Sequence, residues 1–237
     1  MSDIEYLKKY LSEEKYEDGI KKLKKGLPVQ YIIGSVNFYG SELKVDKNVL
    51  IPRFETELLV EKTIEYAKKT FKNEIKIIDL GTGSGAIAIT LKKKLNSKVD
   101  AIDISDKALD VAKYNAKKNN VKISFFHSNM LDNVEEKYDI IISNPPYISF
   151  DEKVEDIVKN NEPNIALYAN NNGLEFYEKI LKKSKNHIKR PGIIAFEIGM
   201  TQGKEIETIA NNYLDNIKVK IEKDLTERDR YVFIFLS

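Results

Sequence analysis

The stretch Ile75-Lys76-Ile77-Ile78-Asp79-Leu80, the turn Gly81-Thr82-Gly83-Ser84-Gly85 and the run Ala86-Ile87-Ala88-Ile89-Thr90-Leu91 constrain the fold most. An apolar run of strand length, glycines at every second position and a second apolar run predict a strand, a tight turn and the start of a helix. Further strands are predicted at Val99–Asp103, Lys122–His127, Tyr138–Ile142 and Ile193–Glu197, with helices from about Lys107 to Asn119, Leu174 to Ile188 and Gly203 to Leu214. Ile217–Ile221 and Arg230–Leu236 would close the sheet as a terminal antiparallel pair. This alternation predicts an α/β fold with a Rossmann-like, seven-stranded, mostly parallel sheet.

Ser143-Asn144-Pro145-Pro146-Tyr147 follows the fourth strand. Two prolines cannot continue a sheet, so the chain must turn at that strand's carboxyl end. Neither proline donates an N–H, and their fixed φ holds the flanking residues in register. Asn144 can offer a carboxamide oxygen, Pro145 a backbone carbonyl and Tyr147 an aromatic face. Two acceptors in fixed geometry suit a planar NH2 group, each taking one hydrogen.

Residues 1–27 read as an amphipathic helical segment, with Ile4, Leu7 and Leu11 on one stripe and Tyr16, Ile20, Leu23 and Leu27 on another. Residues 28–51 read as short alternating runs, with Val36–Tyr39 and Leu43–Val45 forming a hairpin around Gly40-Ser41. Residues 52–237 would form the main domain. Asp151 to Asn161 reads as a polar, mobile segment.

The chain has no Cys and only two His, His127 and His187, which excludes a thiol nucleophile and a zinc centre; both His are expected to be structural or on the surface. No apolar run approaches the roughly 20 residues that span a bilayer, and Met1-Ser2-Asp3-Ile4-Glu5 is not a signal peptide, so a cytoplasmic protein without membrane contact is expected. The net charge is only +2, against a basic surface for stable nucleic-acid binding.

The glycine turn predicts a cofactor site, because glycines admit close backbone approach in front of a helix amino terminus. Gly81-x-Gly83-x-x-Ala86 also fits the relaxed dinucleotide fingerprint, with Asp103 near the expected acidic spacing. Two features favour S-adenosylmethionine. Glycines recur through Gly85, and Asp79 stands before them, where a carboxylate suits an ammonium group but would repel a pyrophosphate. Asp103 can accept from ribose hydroxyls or cap the next helix. Asn129 and Met130, after the third strand, would flank an adenine ring. These sites and Asn144 fall at carboxyl ends of parallel strands, where open α/β sheets bind ligands.

Taken in order, Pro28-Val29-Gln30-Tyr31-Ile32-Ile33-Gly34, Ile51-Pro52-Arg53-Phe54-Glu55-Thr56-Glu57, Asp79 to Gly85, Ser143 to Tyr147, Glu162-Pro163 with Ala166-Leu167, and Glu197-Ile198-Gly199 with Gln202 resemble the protein-glutamine methyltransferases that modify peptide chain release factors. The pattern departs from that family at Phe54, commonly Pro, and at Asn129, commonly acidic; the family's helical amino-terminal module is also usually longer. The resemblance implies a class I S-adenosylmethionine-dependent methyltransferase fold. It implies methyl transfer to the side-chain amide nitrogen of the glutamine in a Gly-Gly-Gln loop, with S-adenosylhomocysteine as product.

On this resemblance Asn144, Pro145 and Tyr147 are the catalytic residues, and Asp79, Gly81, Thr82, Gly83, Gly85, Asp103, Asn129, Met130 and Asn144 hold the cofactor. Asn144, Pro145, Pro146, Tyr147, Arg53 and Glu57 would meet the substrate. Arg53 and Glu57 also fit an ion pair at a helix start, worth little on a surface. A monomer acting on release factors is expected; the alternatives are a ribosomal-protein glutamine methyltransferase and a nucleic-acid methyltransferase acting on an adenine amine.

Overall fold

A computed structural model of the chain describes residues 2–237. The amino-terminal segment forms α1 (Asp3–Tyr10) and α2 (Glu13–Lys24), so the two apolar stripes belong to two helices. Ser2 and Glu5 begin α1 with a reciprocal capping box. Leu7 is buried between the helices, and Gly19 of α2 leaves room for Leu11. A third helix, α3 (Val29–Ile33), replaces part of the alternating pattern expected after Pro28. Proline's fixed φ starts that helix as readily as it ends the previous one, and Gly34 at φ 82° stops it.

The hairpin pairs β1 (Ser35–Phe38) with β2 (Ser41–Lys44). Its two turn residues, Tyr39 and Gly40, have φ of 48° and 74°. Positive φ at both positions matches the strand twist of a two-residue hairpin. The chain continues through α4 (Phe54–Thr70), β3 (Ile75–Leu80), α5 (Ala86–Lys94), β4 (Ser97–Asp103), α6 (Asp106–Lys118), β5 (Ser124–His127) and β6 (Tyr138–Ser143). Then follow α7 (Asp156–Asn161), α8 (Glu175–His187), β7 (Ile188–Glu197), α9 (Gly203–Tyr213), β8 (Ile217–Lys223) and β9 (Asp229–Leu236).

Within the polar segment Asp151–Asn161, residues Asp156–Asn161 form helix α7. It buries none of its residues, so no apolar stripe announces it; Asn161 Nδ2 ties it to the Gly26 carbonyl at 2.9 Å. Helix α8 turns Tyr177, Ile180 and Leu181 inward as expected, while Phe176 is only partly buried.

The seven-stranded sheet has the order β5-β4-β3-β6-β7-β9-β8; the pairs from β5 to β7 are parallel, and β9 lies antiparallel to β7 and β8. Alternation sends Ile77, Ile140, Ile142 and Phe233 to one face, against Leu59, Val60 and Leu91. Ile78, Leu80, Ile141 and Phe196 face the other side, against Tyr177, Ile180, Leu181 and Ile206. Burial on both faces explains why these strands read as continuous apolar runs. The chain winds outward from β3 in one direction and from β6 in the other, so the topological switch lies between them. Among the described residues, no helix is long and apolar enough to cross a membrane.

The hairpin is fastened to this body by one fully buried side chain. Asn115 of α6 accepts from the Lys44 N–H at 2.7 Å and donates to the carbonyls of Lys44 and Ser84, each at 2.9 Å. The edge of β2 and the glycine turn therefore share a single carboxamide.

Candidate active site

Leu80 of β3 pairs with Ser143 of β6, and the Ser143 hydroxyl donates to the Leu80 carbonyl at 2.7 Å. The glycine turn and the Asn-Pro-Pro turn thus leave neighbouring strands at the same level, side by side at the switch point. Gly81 and Gly83 have φ of 71° and 54°, and a methyl group added to either would meet no atom within 4 Å. Their backbone faces open space, as a cradle for a ligand requires.

Asp103, at the end of β4, accepts from the Gly83 N–H and the Ser105 N–H, each at 2.9 Å. These bonds fix its carboxylate and leave one lone pair on each oxygen for ligand hydroxyls. The cap of α6 is Ser105, whose hydroxyl accepts from the Ala108 N–H. Asp103 is therefore free of the capping role it could have had.

Gly81, Gly83, Asp103, Asn129, Met130, Asn144 and Pro146 line one cavity. Asn48, Val49 and Leu50 close it from the hairpin side, and Ile165, Ala166 and Phe176 from the carboxyl-terminal side. A second cavity holds Arg53, Pro145, Tyr147 and Glu197. Asn144, Leu50 and Ala166 line both, so Asn144 stands in the partition between them.

The remaining expected site residues lie elsewhere. Asp79 and Thr82 are buried and line neither cavity, and the Thr82 hydroxyl donates to Asp79 Oδ2 at 2.6 Å. Asp79 Oδ1 is buried without a hydrogen bond of normal geometry, and the Ala88 N–H in the first turn of α5 acts on this carboxyl. Gly85, at φ 83°, packs against Ala112 and lets α5 begin close to α6. Glu57 does not reach either cavity. Its carboxylate accepts from the Tyr39 N–H at 2.9 Å and holds the hairpin turn. Arg53 pairs with Glu162, not Glu57, and Glu162 also accepts from the Ile51 N–H at 3.0 Å. One buried carboxylate thus joins the Ile-Pro-Arg and Glu-Pro segments, which are 109 residues apart.

A link without a sequence signal runs behind Asn144. Its Nδ2 donates to Thr56 Oγ1 at 3.1 Å, and that hydroxyl donates to Glu197 Oε2 at 2.6 Å. Thr56 begins a helix and Glu197 ends a strand 141 residues later.

Burial pushes the Asp79 carboxyl up to about 7, against the bond from Thr82. Glu197 is likewise pushed up to about 7 by burial, with Thr56, Arg230 and Arg53 acting in the opposite direction. Burial also raises Asp103. The folded chain therefore holds these protons more tightly than the unfolded chain. The stability their neutral forms confer is complete below about pH 4 and is lost as pH rises through about 7. The urea midpoint of the unliganded protein is expected to fall between pH 5 and pH 8; a midpoint that rises would contradict burial of these acids as placed here.

The family model "Methyltransferase small domain" matches residues 54–164, which contain the glycine turn and the Asn-Pro-Pro turn. The release factor glutamine methyltransferase of Lactococcus lactis subsp. lactis (strain IL1403) is 42% identical over 217 residues, covering 90% of this chain and 79% of that protein. A methyltransferase structure from Pyrococcus furiosus superposes with a TM-score of 0.62 at 19% identity, covering 92% of this chain and 96% of that one. The release-factor-specific protein-(glutamine-N5) methyltransferase from Alicyclobacillus acidocaldarius superposes with a TM-score of 0.51 at 24% identity, over 82% and 99% of the two chains. The two superpositions carry the fold, and the identity shared with the Lactococcus protein over most of both lengths carries the kinship: this chain belongs to the release factor glutamine methyltransferase family.

Proposed function

We propose that this protein transfers a methyl group from S-adenosylmethionine to the side-chain amide nitrogen of the glutamine in the Gly-Gly-Gln loop of peptide chain release factors. The observation that carries the reading is the position of Asn144 in the partition between two cavities. One side offers the open glycine cradle and Asp103; the other offers Pro145, Tyr147 and Arg53. A group crossing from a cofactor to an acceptor must pass that partition.

The first cavity fits S-adenosylmethionine by its donor and acceptor set. The glycine backbone leaves room for the ligand, Asp103 can accept from ribose hydroxyls, and Asn129 and Met130 border the place for a base. When bound, the cofactor supplies a methyl group on a sulfonium centre.

An amide nitrogen is a poor nucleophile, since its lone pair is delocalised into the carbonyl. In this reading the Asn144 side-chain oxygen and the Pro145 carbonyl each accept one hydrogen of the glutamine NH2. They orient the nitrogen towards the first cavity and stabilise the positive charge that develops on it. Tyr147 walls the acceptor side, and Glu162 holds Arg53 at its border.

Incubating a release factor made without its native methylation with this protein and S-adenosylmethionine is expected to add one methyl group to the Gly-Gly-Gln glutamine, read by peptide-mapped mass. No added methyl, with cofactor binding demonstrated in parallel, would overturn the reading.

A further inference from the structure

Asn144 has two ends of almost the same shape and opposite chemistry. Its oxygen can accept from the glutamine NH2, whereas its own NH2 would meet that group donor against donor. Rotation by half a turn about the last side-chain bond exchanges the two. Nothing in the Asn-Pro-Pro turn itself chooses between them.

The partner at Asn144 is the Thr56 hydroxyl. A hydroxyl alone is indifferent, since it can accept from the Asn144 nitrogen or donate to the Asn144 oxygen. Glu197 removes that indifference. Above about pH 7 the Glu197 carboxyl is ionised and only accepts, so the single Thr56 hydrogen is directed to Glu197 Oε2, at 2.6 Å. The Thr56 oxygen is left with its lone pairs and can take only the NH2 end of Asn144. The Asn144 oxygen therefore points away from Thr56.

Thr56 and Glu197 are both buried, so water does not compete strongly for these bonds. Burial disfavours the Glu197 carboxylate and Glu55 opposes it too, while the Thr56 bond, Arg230 and Arg53 favour it, so the group ionises at about 7. The fold also holds both residues firmly. The Thr56 N–H donates to the Arg53 carbonyl in the first turn of α4, and the Glu197 carbonyl accepts from Tyr177 at 2.8 Å.

Resting on the proposed methyl transfer, we infer that Thr56 and Glu197 are positioning residues which fix the Asn144 carboxamide with its oxygen towards the acceptor amide. Neither touches the reacting atoms. The hydrogen-bond direction set at Glu197 is passed through Thr56 to Asn144, two side chains away.

The test compares Thr56→Val, Thr56→Ser and Glu197→Gln in steady-state methylation of an unmethylated release factor at pH 8, where Glu197 is ionised, with cofactor affinity measured by calorimetry. Valine keeps the shape of threonine and removes the hydroxyl. Thr56→Val is expected to lower kcat by about 10- to 100-fold while the cofactor Kd stays within about threefold. Thr56→Ser keeps the hydroxyl and recovers most of the turnover. Glu197→Gln keeps the volume, lets Thr56 either donate or accept, and lowers kcat by about tenfold.

Thr56→Val with wild-type kcat would overturn the inference. So would a serine variant as impaired as the valine variant, which would point to packing, or a parallel loss of cofactor affinity, which would point to general disorder of the site. A wild-type protein that binds cofactor but leaves the release factor unmethylated would instead refute the functional reading. The amide NMR signals of Asn144 then decide the orientation without turnover: loss of its hydrogen-bonded shift in Thr56→Val supports the inference, and an unchanged spectrum overturns it.

Discussion

Asn144→Ala is expected to lower kcat for release factor methylation by about 10²- to 10³-fold while the cofactor Kd changes by no more than about threefold. On the proposed mechanism the truncation removes one of the two acceptors for the NH2 group, and with it the means of aiming the nitrogen. Removing one preorganised polar group that serves developing charge typically has an effect of this size. Gly81, Gly83, Asp103, Asn129 and Met130 all line the first cavity, so in the proposed reading cofactor affinity is spread over them and the loss of one wall residue is diluted there. Single-turnover kinetics with calorimetry separate the two quantities. Equal collapse of kcat and cofactor affinity would show that Asn144 shapes the cofactor cavity and does not orient the acceptor.

Gly173→Ala is expected to disturb the same turn from behind. Gly173 has φ 82°, and an added methyl group would lie 2.0 Å from the Tyr147 carbonyl oxygen and 2.4 Å from Gln202 Nε2. These are the atoms that hold the Asn-Pro-Pro turn. Gln202 donates to the Tyr147 carbonyl at 2.9 Å and to the Asn172 carbonyl at 3.2 Å, and accepts from the Gly199 N–H at 2.9 Å. Alanine at this φ costs about 1–2 kcal/mol, and backbone contact at 2.0 Å cannot be relieved by a rotamer change. The turn must shift, with a total cost on the order of 3 kcal/mol or more and a fall in Tm on the order of 10 °C for a chain of this size.

Because Pro145 is two residues from Tyr147, kcat is expected to fall by about 100-fold even well below the melting transition. Thermal unfolding and kcat measured on the fully folded variant test both parts. A variant with wild-type Tm and kcat would mean that the loop accommodates alanine without moving Tyr147.

The contrast between these two positions shows what could be read from the chain. Asn144 announces itself, because a polar amide before two prolines at a strand end has few other uses. Gly173 follows three asparagines and reads only as a loop residue; its closeness to Tyr147 exists only after α8 and β6 are packed. Thr56 and Glu197 were visible as members of conspicuous motifs, but their bond spans 141 residues and has no local pattern. Glu57, in the same motif as Thr56, was expected near the substrate and instead holds the hairpin. Successive positions on a helix point in different directions, and only the packed helix shows which one faces the cavity.

The same division applies to the fold. Apolar runs, glycines and prolines act through local backbone geometry, so the sequence by itself determined the alternating strands and helices, the glycine turn, the hairpin and the Asn-Pro-Pro turn. It did not reveal α3 or α7, because a helix of five or six residues is too short to display an apolar period. Only the tertiary structure decided that β3 and β6 are neighbours, that Arg53 pairs with Glu162, and that Asp79 and Thr82 are buried without lining either cavity. Those outcomes depend on side chains meeting across long sequence separations, where burial and hydrogen-bond satisfaction are settled jointly by elements that local preferences do not couple.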